Sequence, residues 1–200
     1  LDQAVVDHHE RLYRSAGHRE NTFASDIREI GVGQVAGRFN HESNTFNTSM
    51  LTLSFASRGT DYFITGVAYN DTDRDDFYSI GEGVAGVRIS ADNESDTTAD
   101  AGGYGIAVGA DAAVTVTVSI GSTTLATLQM DTTEGNAKLD LVTANDGSQT
   151  LALSADARLL TGIADATLLG VGDLTLTGSA AANVLTGNAG RNMLDGGVGN

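Results

Sequence analysis

"YFITGVAYNDTDRDDFYSIGEGVAGVRIS", residues 62–90, is the stretch on which the fold turns. "YFITGVAY" at its front and "GVRIS" at its back are rich in β-branched and aromatic residues, so both read as strands. Between them lie Asp71, Asp73, Asp75, Asp76 and Glu82 against one cation, Arg74. Carboxylates packed this closely repel one another, so a folded chain needs something to neutralise them.

Counted from Asp71, Asp stands at places 1, 3 and 5, Phe77 at 7, Ser79 at 9 and Glu82 at 12. That is the ligand order of the EF-hand calcium loop: side-chain oxygens at 1, 3 and 5, a carbonyl at 7, a ligand often reached through water at 9, and a bidentate Glu at 12. Calcium is therefore the expected ligand, held by Asp71, Asp73, Asp75, Ser79, Glu82 and the carbonyl of Phe77. Place 6 usually holds Gly because the chain there takes positive φ. Here it is Asp76, one of the few non-Gly types that tolerates that region. The competing reading is a solvated acidic hairpin loop. Strands rather than helices flank the loop, so a structural staple is expected and not a helix-opening sensor.

Outward from the loop, residues 60–145 read as an all-β sandwich. "GVRISA", "YGIAVGA" and "AVTVTVSI" are short strands between Gly, Asp and Asn clusters. In the last, Val114, Val116, Val118 and Ile120 alternate with Thr115, Thr117 and Ser119, which indicates one buried and one wet face. Residues 146–200 read as a linker and the start of a parallel β-roll. "GSAAANVLT", "GNAGRNMLD" and "GGVGN" are successive blocks of nine, the third cut short, with Asn183 and Asn192 at the sixth place and Leu185 and Leu194 at the eighth. The first and last residues look like mid-helix and mid-repeat, so the chain reads as a piece of a longer protein.

Residues 1–59 mix helix and strand. "LDQAVVDHHERLYRS" puts Leu1, Val5, Val6, His9 and Leu12 near one helical face, with Gly17 as its expected stop. Ser25 or Asp26 could cap a short turn. "IGVGQVAGRFN" and "SMLTLSFAS" read as strands joined through "NHESNTFN" as a loop or hairpin connection. His8 and His9 are adjacent and point about 100° apart on a helix, so they do not easily share a metal.

Composition narrows the function classes. Net charge is −15, with six Arg against seven Asp/Glu in residues 1–60 and five Lys/Arg against nineteen Asp/Glu in 61–200. This argues against nucleic acid and anionic membranes and in favour of cations. No apolar run approaches the ~20 residues of a membrane span. There is no Cys, which removes disulfide and Cys–zinc frameworks, and no Pro.

Three resemblances add to this reading. "ITGVAYNDTDRDDFYSIGEGVAGVRIS" with "TTADAGGYGIAV", whose Thr98–Tyr104 forms a Thr-Asp-x-x-Gly-x-Tyr-like turn, resembles calcium-binding immunoglobulin-like or prealbumin-like modules such as the B repeats of staphylococcal Sdr adhesins. That implies a rigid calcium-loaded spacer. "LYRSAGHREN" with "IREIGVGQVAGRF" and "SMLTLSFA" resembles the C-terminal half of a bacterial CAP/SCP domain. By that resemblance His18 would be one of four cavity residues, the other three lying upstream, and the domain would take a small hydrophobic or surface ligand. A capping or packing role for His18 stays open beside it. The nonapeptides resemble RTX repeats of the hemolysin type, with Asn183 and Asn192 where a ligand Asp is usual. That implies weak calcium binding there, and an extracellular protein exported by type I secretion.

No Gly-x-Ser-x-Gly, His-Glu-x-x-His or phosphate-loop motif occurs. The expected architecture is an α+β part, a partial CAP-like α/β/α sandwich, followed by an all-β sandwich and the start of a β-roll. The expected function is that of a secreted bacterial calcium-binding protein, with no catalysis in these residues. The alternative is a metal-assisted hydrolase whose CAP-like cavity is completed by upstream residues.

Overall fold

The computed structural model describes residues 3–24, 27, 29–56, 61–109 and 113–199, and the chain divides into two compact units, Leu1–Gly59 and Thr60–Asn200. In the first, α1 (Gln3–Arg14) and α2 (Ala16–Thr22) precede β1 (Glu29–His41) and β2 (Asn44–Ala56). The break between the helices falls at Ser15, whose φ −79 and ψ 118 are extended, and α2 then runs through Gly17 rather than stopping there. An extended Ser ahead of a helix is the usual conformation of an N-terminal cap. The face expected for Leu1, Val5, Val6 and His9, and the cap at Ser25 or Asp26, lie outside the described residues or side chains.

β1 and β2 form an antiparallel ribbon in unbroken register from Glu29 opposite Ala56 to His41 opposite Asn44. The stretch "NHESNTFN" is therefore mostly strand. Only Glu42 and Ser43 turn the chain, with Glu42 at φ 54. Directly opposed residues share a face, so Ile30, Val32, Leu51, Leu53 and Phe55 lie on one side of the ribbon.

The second unit starts with β3 (Tyr62–Asp71) and continues through β4 (Val87–Ala91), β5 (Glu94–Thr97), β6 (Gly103–Val108), β7 (Ala113–Ile120), β8 (Thr123–Asp131) and β9 (Ala137–Ala144). Shorter strands follow: β10 (Gln149–Leu153), β11 (Ala157–Gly162), β12 (Asp165–Leu168), β13 (Thr175–Thr177), β14 (Leu185–Thr186) and β15 (Met193–Asp195). They build two sheets, in the orders β14-β12-β10-β9-β3-β6 and β15-β13-β11-β8-β7-β4-β5. The inward residues of both sheets make one core. Ile64, Leu139, Leu151 and Leu153 come from the first sheet, and Val87, Val116, Leu128 and Leu159 from the second. In β7 the Val residues are buried as their alternation requires.

Residues 146–200 are not a linker leading to a separate roll. β10 pairs antiparallel with β9 and β11 antiparallel with β8, so each sheet of the sandwich is simply extended. From there the pairing turns parallel: β10 with β12 and β12 with β14 in one sheet, β11 with β13 and β13 with β15 in the other. Successive nonapeptides alternate between the sheets, β14 joining one and β15 the other. Leu176, Ala166 and Leu168 lie in the same core as the strands of 60–145. The physical reason is that short apolar strands beyond β9 cannot bury themselves alone, and the exposed edges of β8 and β9 offer both hydrogen bonds and an apolar surface.

Side chains tie one coil to the next. Asp156, Asp165 and Asp173 each accept a hydrogen bond on Oδ1 from a backbone N–H one coil further on: Thr175 at 2.8 Å, Val184 at 3.1 Å and Arg191 at 2.8 Å.

Candidate metal centre

Asp71 is the last residue of β3, and the loop after it crosses from the first sheet to β4 in the second. Asp71 Oδ1 accepts from the backbone N–H groups of Arg74 (2.9 Å) and Asp75 (3.2 Å), which curls the chain tightly. Arg74 and Asp76 sit at φ 64 and 58, so place 6 does take the left-handed conformation and Asp76 adopts it. Asp75 Oδ1 accepts from the N–H of Phe77 at 2.8 Å.

Glu82 is brought back beside Asp71 by the backbone. The Asn70 N–H donates to the Glu82 carbonyl (2.9 Å), the Val84 N–H donates to the Ala68 carbonyl (2.8 Å), and Gly83 bridges Tyr69 in antiparallel fashion. Glycine is required at this crossing: a Cβ on Gly83 would lie 2.3 Å from the carbonyl carbon of Ala101. Gly102, at φ 79, packs against it from the Thr98–Tyr104 turn. Thr98 locks the two together, donating from its hydroxyl to the Val84 carbonyl (2.7 Å) and accepting from the Val87 N–H (3.0 Å).

The outcome is a group of three carboxylates, Asp71, Asp73 and Glu82, with one oxygen of each within 4.8 Å of the others. Carboxylate oxygens gathered this closely can hold a metal ion between them. Asp71 and Glu82 are only 5% and 6% exposed, while Asp73 is open to solvent. Glu82 Oε1 accepts from the N–H and hydroxyl of Thr72, both at 2.7 Å, and Oε2 from the Ser79 N–H at 2.8 Å. A carboxylate has about four lone-pair sites, so acceptor capacity remains for a metal.

Of the four expected carboxylates the structure groups three, and the Asp75 carboxylate is turned to the Phe77 N–H. Ser79 contributes its N–H to Glu82. The electrostatics divide the cluster. Partial desolvation and then the charges of Asp75, Glu82 and Asp71 push the Asp73 carboxyl above its ordinary pKa. The Thr72 hydroxyl, then the Ser79 and Thr72 N–H groups, hold Glu82 below its own. Beside them the Tyr69 phenol is pushed up to about 12, by burial first and then by Asp140, Asp71, Asp76 and Glu82. Among the described residues no Lys or Arg forms an ion pair with the loop. Arg14 pairs with Glu10 and Lys138 with Asp140, both outside the loop.

The remaining candidates fall elsewhere. His18 is exposed on α2 with Nδ1 2.8 Å from the Ser15 hydroxyl, and among the described residues no metal-type cluster includes it. Asn183 accepts from the Ser179 N–H (2.9 Å) and donates to the Ala164 carbonyl (2.8 Å), and Asn192 donates to Asn188 Oδ1 (2.7 Å). Both amides thus have structural partners within the coils. Sequence reasoning missed Thr72, Thr98 and Gly83, which shape the cluster through contacts only the fold creates. It also missed Asp140, 4% exposed, which accepts from the Val67 N–H at 2.9 Å and pairs with Lys138. No family model, no curated protein and no solved structure matches the chain.

Proposed function

We propose that this is a calcium-binding structural protein of the extracellular space. In this reading the 71–82 loop is a metal staple between the two sheets of a β-sandwich that runs on into a β-roll. The observation that carries it is the return of Glu82 to Asp71 and Asp73 by backbone pairing, which assembles places 1, 3 and 12 of the ligand order in one spot. The acidic cluster without cationic partners supports a divalent cation, and the all-oxygen donor set favours a hard one. Calcium is scarce inside cells and abundant outside, so binding would stabilise the exported form selectively. The resemblances to CAP/SCP and RTX segments fit this picture, with a ligand-binding domain before the spacer and an export region after it.

The test is calorimetric titration of the chain with calcium, alongside thermal melts in calcium and in EDTA. One saturable site is expected, because Asn183 and Asn192 are occupied by coil contacts. At 100 times Kd the gain is about 2.7 kcal/mol, a rise in Tm on the order of 5–10 °C for a unit of this size. In Glu82→Gln that rise should vanish. If the variant responds to calcium as the parent does, the staple is refuted.

A further inference from the structure

The outer face of the six-stranded sheet carries a groove of about 610 Å³, within the range of small-molecule sites. Its floor follows the strand register. Tyr69 lies beside Val142 and Val142 beside Thr150. One row along, Asp140, Ala152, Thr167 and Thr186 stand on neighbouring strands. From β3 to β14 it crosses four strand spacings, roughly 19 Å. The acidic loop walls one end with Asp76, Phe77 and Tyr78, and the Tyr78 ring stands at 85° to that of Tyr69 with centroids 6.0 Å apart.

We propose that this groove binds an organic cation with an aliphatic stem, an alkylammonium ion. Three features select that chemistry. The floor is lined by Val142, Ala144, Ala152 and Leu169, which suits a hydrocarbon stem. The loop end presents the rings of Phe77 and Tyr78 over the buried Tyr69, and aromatic faces attract ammonium groups. The charge is one-sided: Asp71, Asp76 and Asp140 line the groove against Lys138 alone, Lys138 is already paired with Asp140, and Asp71 is 5% exposed, which leaves the exposed Asp76 as the carboxylate offered at the aromatic end with Asp71 behind it. An anion would meet those carboxylates, and an uncharged alkane would leave them unmatched. The proposal does not depend on calcium occupying the loop.

The probe is hexylammonium, titrated into the chain and followed by backbone amide resonances, in EDTA and separately in calcium. Hexanoate and hexanol serve as comparators of the same stem. Saturable shifts at Tyr69, Asp76, Tyr78, Val142 and Thr167 are expected with hexylammonium in at least one of the two conditions. Asp76→Asn, which keeps a residue able to hold positive φ, should weaken binding about fivefold. Tyr78→Leu should weaken it as well, and serves if Asp76→Asn does not fold. The proposal is overturned if no saturable shift appears in either condition, if hexanol or hexanoate binds as tightly, or if neither variant weakens the hexylammonium shifts. Failure of the calcium titration would leave this result readable, since the EDTA arm stands alone.

Discussion

Asp73 and Glu82 belong to one cluster yet titrate in opposite senses. Partial desolvation and then three neighbouring carboxylates act on Asp73, so the folded chain holds a proton there more readily than the unfolded chain does. Its contribution to stability is present at low pH and lost as pH rises through its raised pKa. Glu82 is held ionised by three donors, so its contribution is present at neutral pH and lost as pH falls through its lowered pKa. In EDTA the two slopes oppose one another in the carboxylate range. Calcium breaks the tie because it requires Asp73 ionised. The difference in Tm between calcium and EDTA should be largest near pH 7 and shrink towards zero as pH approaches ~4, with proton uptake at Asp73 the first cause. Melts at intervals across that range measure it. A difference that stays constant throughout would rule out carboxylate ligation at this loop.

At the scale of elements, the loop is held by a second device, the turn from Thr98 to Tyr104. Thr98 is buried and its hydroxyl serves the Val84 carbonyl and the Val87 N–H at once. Thr98→Val keeps the volume and strands both backbone groups, for a loss of about 1–3 kcal/mol. Because Val84 lies two residues after Glu82, calcium affinity should fall with it, and Thr98→Ser should recover most of both. Equal affinity in Thr98→Val and the parent would show that the turn does not position Glu82. Such a contact was not legible beforehand: Thr98 looked like part of a turn, and nothing in its neighbours names a partner 14 residues away. The alternation of β7 was legible because each Val reports its own burial. β12 to β15 span two to four residues each, too short for any period to show, and their partners lie a full coil away. At the loop, the order of Asp71, Asp73 and Glu82 was visible as spacing. The turning of Asp75 to the Phe77 N–H was not, because it depends on the local backbone angles.

For the molecule as a whole, the question is where the sandwich ends. The sequence suggested a sandwich ending at residue 145 and a linker after it, but the core disregards that boundary. Leu151, Leu153, Leu159, Leu168 and Leu176 all lie beyond that point, each at most 2% exposed and packed with Ile64, Val116 and Leu128. Burying each is worth about 1.5–3 kcal/mol, so together they match the whole net stability of an ordinary domain, about 5–15 kcal/mol. The metal loop leans on this region too, since Asn145 donates from Nδ2 to the Thr72 carbonyl at 3.1 Å and sits at the β9–β10 hairpin. A chain ending at residue 145 would leave β8 and β9 as bare edges with apolar inner faces. Calcium cannot offset that loss, because the staple joins β3 to β4 and supplies neither the strand partners that β8 and β9 would lack nor the apolar cover of their inner faces. Residues 60–145 alone are therefore expected to show no cooperative melt, in calcium or in EDTA, while residues 60–200 melt as one unit with the full calcium response. Near-ultraviolet circular dichroism and hydrogen exchange on the two pieces would decide it. Matching midpoints for the two would mean that the coils merely ride on a sandwich complete without them.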